Sequence, residues 1–222
     1  MKKYISAFLI LIGVLLIASP YITKLLVTNQ VDKTVEIVEE ITVEQIEENN
    51  QREAVYDYSA IRDVSTTTAV VNTARFEDEN IVGQLIISDL GINLPVLKGV
   101  TDANLMAGAA TMVPDIRMGA GNFSLASHYM KDPKLLFGNL LNAQEGMIIQ
   151  ITDKNTVYEY TIYETILVPE TAIYMLDEER AEERGKPIIS LMTCYYTSKN
   201  GLRYFALGEL TDEYPYEREE LY

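Results

Sequence analysis

The sequence predicts an all-β barrel or sandwich held behind a single membrane-crossing helix. Two observations carry this. From about Asn80 onward, short β-rich runs alternate with turn signals at the spacing of a compact β domain. Ahead of them, Tyr4 to Ile22 is an almost wholly apolar run without a charge, close to the roughly 20 residues that span a hydrocarbon core.

The anchor comes first. Lys2 and Lys3 precede the run, so the positive-inside rule puts residues 1–3 in the cytoplasm and everything after residue 22 outside. A cleaved signal peptide is the alternative. It calls for a shorter apolar stretch and a small-residue cleavage site, and Ile17-Ala18-Ser19 followed by Pro20 is a poor one. The run reads as an uncleaved, single-pass anchor.

Residues 23–78 read as a stalk and linker. Val31, Val35, Val38, Ile41 and Ile46 fall near helical spacing with glutamates between them, too briefly for a coiled coil. Residues 57–78, with Ser65-Thr-Thr-Thr68, lack periodicity and read as an extended linker that lifts the domain off the membrane. No internal repeat is present.

The β domain spans 79–211. Its predicted strands are Ile81–Ser88, Asn93–Lys98, Asn122–His128, Gly146–Thr152, Thr156–Val168, Pro187–Cys194 and Leu202–Leu210, with Asp153-Lys-Asn155 as a hairpin signal. Asp102–Ala109 reads as a short helix, Pro133–Ala143 as a helix or turn, and Glu170–Lys186 as a long acidic loop. The acidic residues 212–222 read as a frayed tail. About 140 residues suffice for one core. A net charge of −15 excludes nucleic-acid binding, since nothing neutralises phosphate. It also keeps the domain soluble and off anionic lipid in general.

Two residues are unique in the chain. Cys194 ends the apolar run Pro187-Ile-Ile-Ser-Leu-Met, and His128 ends Asn122-Phe-Ser-Leu-Ala-Ser. A lone exported thiol pairs with another chain or reacts. A Cys–His enzyme is one reading; a buried structural cysteine and an unrelated surface histidine is the other. Period-2 alternation puts Ala126 and Met192 on the same strand faces as His128 and Cys194.

Ser124-Leu-Ala-Ser-His-Tyr-Met130, Ser190-Leu-Met-Thr-Cys194 and Arg203-Tyr-Phe-Ala-Leu-Gly-Glu-Leu210 together resemble the signature segments of class A sortases. So do Leu94-Pro-Val-Leu-Lys-Gly99 and Asn104-Leu-Met-Ala-Gly-Ala-Ala-Thr-Met112. The resemblance implies a closed eight-stranded β-barrel and a membrane-anchored cysteine transpeptidase of Gram-positive bacteria. Such an enzyme cuts an LPxTG-type signal of a surface protein between Thr and Gly and passes the acyl group to an amine of the lipid-linked peptidoglycan precursor. It implies Cys194 as nucleophile, His128 as general acid and base, and Arg203 as the oxyanion's guanidinium. It puts Ala126, Val168, Ile173, Met175, Leu176 and Met192 along the substrate groove, and a Thr193 backbone N–H near the oxyanion.

Two departures stand out. Ser190 replaces the family's usual Thr. Some members bind calcium, but here only Asp115 and Glu178 are offered where several carboxylates are needed, so no calcium requirement is expected. Pilin-polymerising sortases usually carry a lid before the barrel and often a second span; the sequence suggests neither. Papain-like proteases place Cys before His. A non-catalytic cell-surface binding module is the remaining alternative.

Overall fold

The computed structural model describes residues 2–73 and 77–217. Its centre is a closed barrel of eight strands in the order β1-β2-β3-β4-β7-β8-β6-β5. The strands are β1 (Ile81–Ile87), β2 (Ile92–Leu97), β3 (Ala109–Thr111), β4 (Asn122–Ala126), β5 (Ile148–Thr152), β6 (Thr156–Pro169), β7 (Ile188–Cys194) and β8 (Leu202–Pro215). β3 escaped the sequence reading because three residues are too few to show alternation. β2 pairs with β3 in parallel, and β4 pairs with β7 in parallel; the remaining neighbours are antiparallel. Closure leaves no free edge. Leu85, Val96, Leu125, Ile149, Tyr160, Leu191 and Ala206 belong to the main core. A second apolar cluster, with Ala126, Val168, Met175, Met192 and Phe205, lies toward the end where β7 finishes.

The segment before the barrel is not a free stalk. Helix α1 runs without a break from Lys2 to Glu40, and α2 covers Val43–Gln51. All seven residues of β1 are buried, so its outer face is covered too. The apolar stripe of α1 lies against the barrel: Val38 packs with Ile81, Leu97 and Ala107. The Thr34 hydroxyl donates to the Ala107 carbonyl at 2.8 Å. Thr42 and Gln45 form a capping box that starts α2, and Asn49 of α2 donates to the Ile81 carbonyl. A valine stripe exposed to water would forfeit its burial energy, and the barrel wall supplies the partner. The expected linker also holds a helix, α3 (Thr66–Thr73).

The expected frayed tail is corrected as well. Residues 212–215 continue β8, pairing with β6 out to Pro215 with Thr156. Lys154 Nζ donates to Tyr216 and to Gln84, which clips the strand end to the barrel. Residues 218–222 lie outside the described residues.

The loop between β6 and β7 is pinned to β4 by Asn122. Its side-chain amide donates to the carbonyls of Met175 and Asp177, both at 3.1 Å, and its oxygen accepts from the Ser190 hydroxyl at 2.8 Å. Ser190 thus keeps the one hydroxyl the position needs. Helix α4 (Asp102–Ala107) and helix α5 (Glu179–Arg184) complete the fold. Asn122→Ala removes three buried hydrogen bonds and should lower unfolding stability by about 2–4 kcal/mol. Thermal unfolding checks this, and Asn122→Asp, which turns a buried carboxylate oxygen toward the Met175 and Asp177 carbonyls, should lose at least as much.

Candidate active site

The parallel pairing of β4 with β7 runs from Asn122 with Ile188 to Ala126 with Met192. One more bond, Ser127 N to the Met192 carbonyl, and one from the Thr193 hydroxyl to the Ser127 carbonyl, carry the register onward. Two residues past the Ala126–Met192 pair stand Cys194, the last residue of β7, and His128, two residues beyond the end of β4. On the other side of β7, Cys194 pairs directly with Arg203 of β8. Three adjoining strands therefore bring His128, Cys194 and Arg203 to one end of the barrel.

Beside them is a cavity of about 440 Å³ lined mostly by apolar residues, among them Met112, Ile173, Leu176, Met192 and Phe205. Of the expected groove residues, Ile173, Leu176 and Met192 line it. Ala126, Val168 and Met175 lie in the buried cluster beneath. The Thr193 side chain is buried and faces Ser127.

Arg203 is held by two groups that the sequence reading missed. Its Nη2 makes an ion pair with Glu170 at 2.8 Å and a longer hydrogen bond, 3.4 Å, to the Ile61 carbonyl. Glu170 comes from the loop after β6, where Glu170 N itself bonds the Gly201 carbonyl. One acid among 33 acidic residues carries no sequence signal of this kind.

Ile61 belongs to a strap that crosses the site, where the sequence reading expected an open linker and no lid. Asp57 N donates to the Val100 carbonyl, and the Tyr58 hydroxyl donates to the Met112 carbonyl at 2.6 Å. Arg62 pairs with Asp102. Asp63 accepts from the Thr197 hydroxyl and from Ser198 N, both at 2.7 Å, in the turn between β7 and β8. Tyr58, Ser59 and Ile61 form one wall of the cavity. The signal missed was Tyr58 and Asp63, whose side chains satisfy barrel loops instead of solvent.

Under the strap, Cys194 and His128 are each only 3% exposed. Burial pushes the His128 imidazole down to about 4, outweighing a hydrogen bond with the Arg62 backbone. Burial likewise raises the Cys194 thiol, which the nearby Arg203 guanidinium only partly counters. Both groups are therefore neutral at pH 7 in this closed state. Among the described residues, His128 Nε2 is buried with no hydrogen-bond partner.

The two carboxylates considered for calcium have separate surroundings. Glu178 accepts from Asn122 N at 3.1 Å and abuts Gly121, where φ is +53° and no side chain would fit. Asp115 borders a different cavity, with Glu47 and Asp153. Among the described residues, no three His, Cys, Asp or Glu side chains form a metal-binding group.

The strap yields a pH prediction. Burial raises Asp63, but the bonds from Thr197 and Ser198 outweigh it and hold the carboxyl below its ordinary value; its hold is lost as pH falls. His128 is neutral when covered and gains a proton once uncovered, so between about pH 6.5 and 4 acid again favours the open form. Asp63→Ala should raise labelling of Cys194 by a neutral thiol reagent about tenfold, the effect of losing a charged hydrogen bond. The His128 ring, followed by NMR, should titrate near 4 in the parent and nearer the ordinary 6.5 in the variant. Unchanged labelling would mean that the strap is not the barrier.

Comparison with known proteins agrees with this geometry. The sortase domain family profile matches residues 85–211. Sortase A of Listeria monocytogenes is 34% identical over 210 residues, covering 95% of this chain and 91% of that protein. Sortase A of Streptococcus agalactiae is 32% identical, covering 71% of this chain and 64% of that protein. The solved Listeria monocytogenes sortase A superposes with a TM-score of 0.58 at 36% identity, covering 63% of this chain and 93% of that one. Sortase C-3 of Streptococcus pneumoniae shares the fold, with a TM-score of 0.61 at 20% identity, covering 84% of this chain and 92% of that one. A family match over more than half the sequence, and likeness to one relative along nearly its whole length, lead to one conclusion: the chain belongs to the sortase family of cysteine transpeptidases, as a class A member.

Proposed function

We propose that the chain cleaves an LPxTG-type signal between Thr and Gly and transfers the surface protein to an amine of the cell-wall precursor, with Cys194, His128 and Arg203 as the reacting set. The observation that supports the reading is the strand register that brings the ends of β4 and β7 and the start of β8 together at one end of the barrel, with Arg203 and Met192 lining an apolar cavity there. In this reading the Leu and Pro of the signal enter the cavity beside Ile173, Leu176 and Met192, where their desolvation is favourable. Ala126, Val168 and Met175 support that floor from beneath, and Thr193 offers its backbone N–H toward the oxyanion.

The steps balance as an acyl exchange. The Cys194 thiolate attacks the Thr carbonyl carbon, and the oxyanion that forms accepts hydrogen bonds from Arg203. The C–N bond breaks as His128, protonated, gives its proton to the departing glycine amine. The incoming amine then attacks the thioester carbonyl and gives a proton to the now neutral His128. The new amide forms as the sulfur departs. Since both groups are neutral under the strap, the strap must withdraw before either can take its reacting form. Arg203 must also exchange the Ile61 carbonyl for substrate.

The anchor's N-terminus is assigned to the cytoplasm and the barrel to the outside, from Lys2 and Lys3. Calcium is not required in this reading, because Glu178 already serves Asn122.

A quenched LPETG peptide tests the proposal. The full chain should cleave it and divert the product to a ligated peptide when an oligoglycine or alanine amine is added. Cys194→Ala, His128→Ala and Arg203→Ala should each lose activity by at least about a hundredfold, the usual scale for one acid–base or oxyanion group. Calcium and EDTA should give equal rates. Persistent cleavage in Cys194→Ala would sink the assignment.

A further inference from the structure

Exposure along α1 changes abruptly. Its apolar residues are exposed on all sides up to Tyr21, at 75%, and Leu25, at 60%; from Val27 onward one stripe is buried against protein. This change marks where lipid gives way to the domain. Helix α3 is packed on α1 at that same level. Thr66 Oγ1 lies 2.5 Å from Ser19 Oγ and 2.7 Å from Thr23 Oγ1. The outer side of α3 exposes Val70, at 55%, and Val71, at 42%, which extends the lipid-facing surface of the span sideways.

A third feature sits beside these two. Lys24 is the first charged residue after the span, and it pairs with Asp132 at 2.6 Å. Asp132 lies in the loop after His128, between the exposed Lys131 and Lys134. Lys134 also borders a groove with Asp32, Glu36 and Glu39 of α1. Lys24, Lys131 and Lys134 thus gather around Asp132 next to an apolar face, while acidic residues of α1 line the groove that Lys134 borders.

We propose that α3 and the Lys131–Lys134 loop form a lipid-docking surface, which seats the catalytic domain on the same bilayer that α1 crosses. The occupant follows from continuity. The exposed valines adjoin a helix end already in lipid, which carries the proposal. The exposed Lys131 and Lys134 stand in the loop tied to that helix end, where they can meet anionic headgroups. The seat fixes the height of the active site. Asp132 is four residues beyond His128, a reach of at most about 14 Å, so His128 sits close to headgroup level.

The chain contains no tryptophan, so single-tryptophan reporters are clean. The full chain carrying Val70→Trp is reconstituted in phosphatidylcholine–phosphatidylglycerol vesicles with brominated acyl chains. Val55→Trp, exposed on the segment beside Gly99 of the barrel, is the reference. Peptide cleavage by each variant verifies folding. Quenching at Val70→Trp should exceed the reference several-fold, and adding Lys131→Gln with Lys134→Gln should reduce it. Equal quenching at the two positions in active protein overturns the proposal. Loss of cleavage with quenching intact would instead count against the assigned chemistry and leave the docking surface standing.

Discussion

Everything at the site depends on the register between β4 and β7. These strands are far apart in sequence and run parallel, so no tight turn sets their alignment. Five consecutive pairs, from Asn122 with Ile188 to Ala126 with Met192, do so by burying both strands completely. A slip of one residue would turn His128 and Cys194 to opposite faces and send Ala126 and Met192 out of the apolar cluster. Asn122 and Ser190 guard that alignment, because their hydrogen bond joins residues paired close to each other only in the native register. The same asparagine ties down the loop that walls the cavity, so register and substrate groove share one polar anchor.

The electrostatics of the site depend on cover. A thiol and an imidazole removed from water are both driven toward neutrality, and Arg203 is near enough to oppose that for Cys194 but not to reverse it. Glu170 meanwhile takes up part of the Arg203 charge. The guanidinium is thereby kept in place without an incoming oxyanion, and the half-exposed glutamate can be replaced as a partner at little desolvation cost. The resting protein stores an aligned but discharged set of groups.

The sequence made the barrel and the candidate residues at its strand ends legible for physical reasons. Strong β runs with clear turns expose seven of the strands, and single occurrences of Cys and His at strand ends direct attention to the site. What it concealed depends on tertiary partners. β3 is too short for a pattern. The valine stripe of α1 looks the same whether it meets another helix or a barrel wall. The strap reads as a linker because Tyr58 and Asp63 are ordinary solvent-loving side chains until partners distant in sequence, the Met112 carbonyl for Tyr58 and the Thr197 hydroxyl and Ser198 N–H for Asp63, complete their hydrogen bonds. The end of β8 looks acidic and loose, yet Tyr214 and Tyr216 bind it through Gln150 and Lys154.

The strap is fastened at both ends, by α2 against β1 and by α3 against α1. It therefore acts as a competitor that dilution cannot remove, with an effective concentration fixed by the chain itself. Every substrate meets the same tax, equal to the fraction of time the site stands open. Such a tax cannot sharpen the choice between one signal and another. It sets a threshold of local abundance, below which proteins that encounter the enzyme only in passing are ignored, and above which proteins held on the same membrane are processed.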